Sequence, residues 1–414
     1  MYNSLPRSDA EASVISRRRL LASVSYGALA ALGVERIGLG PAGAAIAEPT
    51  SAPASAAAAS SRGRFKYVGW QVGVTYQAKA PGGLTRDEMM RLVDDMARYR
   101  MNLLSLQMIS YTYFDPHHDG YCWPVKNPKL RHLWDSTAIN GRPETEYVRE
   151  VIEAAAQRGI KVQMIMNWGI WNPDKLRRGY PDAAHYEKRP QAGQPPSKPS
   201  WTFCPDAPGS WQAGLDEIAD LLGYYSHPNL TSYVFEHLAS CDCFCPHTQR
   251  RYQADTGKLL LEATEDDRYA WAKRHIGGLL KKYVEHIRRI RPKMGVWLHT
   301  SCAKDWGHDP KMLPGCGFDH LLPHTFHFPI TKERFYEKLR FLEPNRCVLH
   351  FSARDVRPTN YRLWIQTPES IAERTGWVLD YPGKNIAGVL FYNPNAMSPR
   401  NIQAVYEQTK RFDG

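Results

Sequence analysis

Past its first fifty residues the 414-residue chain has no stretch approaching ~18 consecutive apolar residues, so its body is not expected to cross a membrane. It has no compact basic run interleaved with aromatics. That argues against a nucleic-acid surface, even though Lys and Arg number 53 against 42 Asp and Glu and the formal net charge is +11. No Gly-rich phosphate turn follows the first strand-like segment, which removes the main support for a dinucleotide-binding open sheet. The 8 cysteines include no C-x₂-C pair, the usual spacing of a zinc knuckle. No internal repeat and no second domain stand out. What is present is 43% apolar residues, enough to build a core, and a surplus of rings, with 12 Trp and 22 Tyr. Such a surplus is compatible with a cleft in which sugars stack.

The N-terminus reads as an address. Ser16-Arg17-Arg18-Arg19-Leu20-Leu21 precedes a weakly apolar, Ala- and Gly-rich stretch from Ala22 to Ala45, which closes on the small-x-small sequence Ala45-Ile46-Ala47. This resembles a bacterial twin-arginine export signal, which implies a periplasmic or extracellular protein with no membrane attachment after cleavage. A short transmembrane anchor is the alternative, but Glu35 and Arg36 interrupt it. The expected organisation is a signal over 1–47, a flexible Ala/Ser/Pro-rich linker over 48–64 and one catalytic domain over 65–414.

From Phe65 onward, apolar strand-like runs alternate with segments of helical period. Strands are predicted over Phe65–Tyr76, Met101–Ile109, Ile160–Met166, Leu230–Phe235, Lys293–His299, Phe318–Pro323, Arg346–Phe351 and Ile386–Tyr392. Helices are predicted over Thr85–Arg100, Glu144–Arg158, Trp211–Tyr225, a long region from His247 to Ile290 broken near Gly257, Lys332–Leu342 and Pro368–Leu379. The connection into the sixth strand, His308 to Gly317, reads as loop. Near-continuous apolar strands with helices in almost every gap imply a parallel sheet covered on its outer face. The fold class is α/β, and eight units close into a single-domain (β/α)8 TIM barrel; a doubly wound open sheet is the alternative.

In such a barrel chemistry sits at the C-terminal strand ends. Those ends carry Gln71 to Gln77 at strand one, Gln107 and Tyr111 after strand two, Asn167 and Trp168 after strand three, Glu236 after strand four and His299 after strand five. His324 follows strand six, Ser352, Arg354 and Asp355 follow strand seven, and Tyr392 and Asn393 follow strand eight. Amides and phenols hydrogen-bond hydroxyl groups and indoles stack on pyranose faces, so Gln107, Tyr111, Asn167, Trp168, His299, His324, Arg354, Tyr392 and Asn393 are the candidate sugar-binding residues. Glu236 is the one Glu that ends a predicted strand. A carboxylate there either has a buried partner or is held for proton transfer. His237, the next residue, faces another way by alternation.

The strand order, the Glu closing strand four, and the stretch Tyr233-Val234-Phe235-Glu236 followed by Cys243-Phe244-Cys245-Pro246-His247 resemble bacterial (β/α)8 glycoside hydrolases. The likeness is to the clan of retaining β-glycosidases and to neighbouring barrel families with little functional definition. The resemblance implies that Glu236 is the catalytic acid/base. The clan places a nucleophilic Glu at strand seven, and this chain has none there. Asp355 is the candidate second catalytic carboxylate, or else Arg354 neutralises it in a structural salt bridge. Asp319 falls at the start of strand six, the wrong end of the barrel, and Asp115, Asp174 and Asp242 are loop candidates. Two groups flanking the bond could retain or invert configuration, or an N-acetyl group of the substrate could assist.

Cys241, Cys243 and Cys245 follow strand four and Cys204 follows strand three, on neighbouring loops. A disulfide is the favoured reading; a thiolate metal site with Cys204, two loop cysteines and His247 is the other. Cys347 reads as a core thiol. Asp115, His117, His118 and Asp119 are a loop cluster read as solvated or substrate-facing, so neither a metal nor a cofactor is expected. The expected partner is a carbohydrate, with an anionic one compatible with the charge, and the sequence leaves the oligomeric state open. A non-catalytic carbohydrate-binding barrel and a metal-dependent barrel hydrolase or isomerase using the strand-end histidines are the rival functions.

Overall fold

In a computed structural model of the chain, the described residues are 65–74, 84–110, 120–133, 145–167, 173–190, 203–236, 243–300, 310–323, 330–355, 365–392, 394 and 397–412. Eight strands, β1 (Tyr67–Gly73), β2 (Leu103–Gln107), β3 (Lys161–Asn167), β4 (Leu230–Glu236), β5 (Gly295–Thr300), β6 (His320–Pro323), β7 (Cys347–Ser352) and β8 (Ile386–Tyr392), follow one another around a closed barrel. Every neighbouring pair is parallel, and β1 closes on β8 with Gln71 opposite Tyr392. The expected (β/α)8 barrel is therefore the observed fold. All of the described residues lie in one compact unit, 59–414. Among them no helix is long and apolar enough to cross a membrane.

The helices form where the apolar period and the capping residues coincide. In α1 (Arg86–Arg98) Thr85 accepts the N–H of Glu88 while the Glu88 carboxylate accepts the N–H of Thr85, a reciprocal cap. The same helix buries Met89, Leu92, Val93 and Met96 along one stripe. In α2 (Val148–Gln157) the helix starts later than its pattern suggests, because the Glu146 carboxylate takes the N–H of Arg149 and stands outside the first turn. In α3 (Pro208–Tyr224) it starts earlier, since Pro208 at the first position is already set for helical φ. The long helical region divides into α4 (Pro246–Thr256) and α5 (Glu265–Ile290). Gly257, at φ 72°, ends the first of these in the left-handed region open to glycine. Three more helices, α6 (Lys332–Phe341), α7 (Pro368–Asp380) and α8 (Pro399–Thr409), complete the outer ring. Between β5 and β6 only a four-residue helix, Leu313–Cys316, is formed, in keeping with the loop-like sequence there.

The strands face two cores. Outward residues pack against the helices, and inside the barrel Tyr67, Leu103, Ile165, Val234, Trp297, Leu322, Val348 and Leu390 form a separate buried cluster. A polar chain crosses the interior two to four residues short of the strand ends. Ser105 donates to Gln163 at 3.0 Å and Gln163 donates to Ser232 at 2.9 Å, so these buried groups are paired. Beyond β2 the chain turns through a short ribbon, Ile109–Ser110 against Gly120–Tyr121. Tyr121 and Trp123 then anchor this loop on α3 by donating to Glu217 and Asp220, each at 2.8 Å.

Candidate active site

Alternation along β4 sets the site. Tyr233 and Phe235 point out, their rings 4.9 Å apart, and Phe235 packs 5.6 Å from Tyr283 of α5. Ser232, Val234 and Glu236 therefore face the barrel axis. Glu236 closes the strand with 6% of its surface exposed. An isolated carboxylate is costly at that depth, and the fold supplies a partner. His299 stands opposite Glu236 in the β4–β5 register, its Nδ1 3.2 Å from Oε1.

From His299 the polar contacts continue around the barrel mouth. His299 Nε2 lies 3.1 Å from Nδ1 of His350 on β7. The His350 ring sits 5.1 Å from that of Tyr392 at the end of β8, and the Arg354 guanidinium lies 4.3 Å over the Tyr392 ring. Burial pushes the Tyr392 hydroxyl above the ordinary phenol range; Arg354 opposes this and the charge of Glu236 adds to it. Tyr392 thus keeps its proton at neutral pH. Next to it in register, Gln71 is 1% exposed and its Oε1 has no hydrogen-bond partner among the described residues.

The two imidazoles lie in line with the carboxylate, within hydrogen-bond distance of each other. If His299 donates from Nδ1 to Glu236, its Nε2 is the acceptor for the N–H of His350. A proton moving on or off Glu236 is then matched by a tautomer change one residue further along. This arrangement suits a carboxyl group that gives up and regains a proton in one catalytic cycle.

Several expectations need revising against this geometry. The His299 side chain is 0% exposed, so it backs Glu236 and does not line a sugar site. Asp355 is not paired with Arg354, which lies over Tyr392. Its two oxygens accept the backbone N–H and the hydroxyl of Ser398, the N-cap of α8, so the second-carboxylate assignment loses its support. Asp174 binds Arg177 at 2.7 Å and His185 at 3.1 Å in an exposed position. Asp319 is at the base, as expected: its carboxylate accepts the N–H of Val296 at 2.8 Å, which delays the start of β6 to His320. Gln107 is half-buried at the end of β2, and β3 ends at Asn167 beside Glu236 in register. Tyr111, Trp168, His324 and Asn393 lie outside the described residues, as do Asp115, His117, His118, Asp119, Cys241 and Asp242.

His350 was not among the sequence candidates. It lies two residues before Ser352 inside an apolar strand, and the period-two alternation that turns Ser352 inward does the same for His350.

The disulfide expectation is also revised. Cys204 and Cys245 approach to 3.2 Å between sulfurs, well beyond the ~2.05 Å of a bond. Among the described residues, Cys204, Cys243, Cys245 and Cys316 are free thiols. Cys347 is a core residue of β7, as its sequence suggested.

No protein-family model matches the chain, and no curated protein matches it in sequence. Solved structures do match its fold. The PgaB (BpsB) glycoside hydrolase domain from Bordetella bronchiseptica superposes with a TM-score of 0.59 at 14% identity, over 84% of this chain and 98% of that one. Alpha-L-fucosidase isoenzyme 2 from Paenibacillus thiaminolyticus gives 0.58 at 15% identity, over 84% of this chain and 48% of the other. A GH20 exo-β-N-acetylglucosaminidase from Vibrio harveyi gives 0.52 at 12% identity, over 84% and 54%. The chain thus spans about half the length of the last two. At these identities the likeness is one of fold: a (β/α)8 barrel of the kind these glycoside hydrolases use.

Proposed function

We propose that the protein hydrolyses glycosidic bonds, with Glu236 as the acid that protonates the leaving oxygen. The observation that carries this reading is a nearly buried carboxylate at the C-terminal end of β4 in a closed parallel barrel, backed by His299 and His350. Among the described residues it is the only acidic side chain that ends a barrel strand. Glycoside hydrolases with the same barrel add support at the level of fold. Tyr392 offers a polar contact for sugar hydroxyls at the strand ends, and Arg354 beside it, in a chain with an excess of Lys and Arg over Asp and Glu, favours an anionic glycan. Since Asp355 is taken up by Ser398, the second group of the mechanism is either a water-holding carboxylate elsewhere or the substrate's own acetamido oxygen.

The test is Glu236→Gln assayed on neutral, N-acetylated and acidic oligosaccharides. Loss of the proton donor should lower hydrolysis by about 10²–10⁴ while sugar binding is kept. Near wild-type turnover in a folded variant rules Glu236 out as the acid. Wild-type protein that binds glycans without turning any over would instead favour the binding-barrel reading.

We further propose that the chain is exported by the twin-arginine route. The support is Arg17-Arg18 ahead of the Ala-rich stretch and the Ala45-Ile46-Ala47 site. Replacing both arginines with lysine should leave precursor in the cytoplasm; unchanged export of that variant refutes the assignment.

A further inference from the structure

Three cysteines outside the proton-transfer site come together in a buried cluster. Cys204, Cys243 and Cys245 are each at most 1% exposed, and their sulfurs all lie within 4.8 Å of one another. They come from two loops. Phe203 bridges antiparallel to His185 on the segment after β3, and the N–H of Cys204 donates to Ala184 O at 2.8 Å. The N–H of Phe244 donates to Glu187 O at 2.7 Å, which fastens the segment after β4 to the same place.

Several hydrogen-bond donors are aimed at the sulfurs. The N–H of Asp206 points at Cys204 Sγ at 3.4 Å, and the N–H groups of Glu187 and Cys245 both point at Cys243 Sγ at 3.5 Å. The Thr248 hydroxyl lies 3.2 Å from Cys204 Sγ and 3.7 Å from Cys245 Sγ, and Cys245 is the N-cap of α4. A neutral buried thiol behaves as a small apolar side chain and needs no such set of donors. Three negative sulfurs do need them, together with a cation to offset their repulsion. A disulfide between two of the three would leave the third, with its N–H donors, unexplained.

We propose that Cys204, Cys243 and Cys245 hold one zinc-class ion that clamps the segment after β3 to the segment after β4, close in sequence to Glu236. Thiolate–zinc bonds of about 2.3 Å in a tetrahedron place sulfurs roughly 3.8 Å apart, a small adjustment of the observed cluster. Binding replaces the thiol protons, which pass to solvent, and involves no change of oxidation state. Among the described residues no fourth His, Cys, Asp or Glu joins the three, so the fourth corner takes a water or another donor. The role is structural, and it stands whether or not the barrel cleaves glycans.

The full chain, purified under reducing conditions and supplied with zinc, should carry one ion per chain by elemental analysis. Its X-ray absorption should show a first shell dominated by sulfur at about 2.3 Å. With cobalt in place of zinc, Cys204→Ser, Cys243→Ser and Cys245→Ser should each remove about a third of the sulfur-to-cobalt charge-transfer intensity, whereas Cys316→Ser should leave it unchanged. The absorption measurement needs no variant, so misfolding of a serine mutant does not blunt the test. Failure to take up stoichiometric zinc, a shell of nitrogen and oxygen alone, or a Cys204–Cys245 cross-linked peptide from metal-free protein would each overturn the proposal.

Discussion

Asp355 is fastened to Ser398 through both carboxylate oxygens, one on the backbone N–H at 2.7 Å and the other on the hydroxyl. Ser398 in turn caps α8 by accepting the N–H of Asn401 at 3.4 Å. The segment after β7 is thereby tied to the start of the last helix.

A truncation therefore separates the two roles. Asp355→Ala leaves the Ser398 N–H and hydroxyl without their partner and should destabilise the fold by about 1–3 kcal/mol. The melting temperature should fall, while kcat/KM on activated nitrophenyl glycosides stays within about threefold of wild type. A loss approaching 10⁴-fold in a folded variant would return Asp355 to the role of nucleophile.

A second prediction concerns the base of the barrel. His320 is 7% exposed, with the rings of Tyr67 and Trp297 at 5.2 and 4.8 Å. Burial, with Lys66 acting in the same direction, pushes its imidazole down to about 4. The unfolded chain, titrating near 6.5, binds the extra proton first as pH falls. Stability is therefore complete above about pH 6.5 and is lost as pH falls toward 4, by on the order of 2 kcal/mol after allowance for solvent screening. Urea denaturation at pH 7 and pH 4.5 should show that much less acid sensitivity in His320→Leu than in wild type. Equal sensitivity in the two proteins would mean that His320 is protonated in the fold.

The barrel was legible because its signals are local. Apolar runs gave the strands, Thr85 marked a helix start, and Gly257 marked a helix end. The position of Glu236 followed from its place at the end of the apolar run of β4. What stayed hidden depends on contacts across the fold. Asp355 meets Ser398 from 43 residues away, and the spacing of Arg354 to Asp355 suggested a neighbouring ion pair that the Tyr392 ring preempts. His350 was masked by its apolar strand, though its parity with Ser352 carried the signal. The cysteines were placed on adjacent loops correctly, but sequence spacing says nothing about which backbone N–H groups face the sulfurs, and those decide between a bond and a cage.

The last prediction separates His299 from the chemistry it supports. Its Nδ1 touches Glu236, its Nε2 touches His350, and its side chain has no exposed surface, so it acts on substrate only through the carboxyl group. His299→Asn keeps a short polar side chain in the pocket but breaks the imidazole pair. Sugar binding should change little, and KM with it, because no sugar contact is removed. Turnover should fall by about 10–10² on natural glycans, since Glu236 is left less well oriented for proton transfer. Nitrophenyl glycosides, whose leaving group needs little protonation, should lose much less. The measurement is kcat and KM on both substrate types for His299→Asn, with Glu236→Gln as the reference for complete loss of the acid and melting temperature as the check on folding. If His299→Asn mainly raises KM, or harms both substrate types alike, then His299 does not work through Glu236. The line of contacts from Glu236 to His350 would in that case be a packing feature of the barrel and not a proton path.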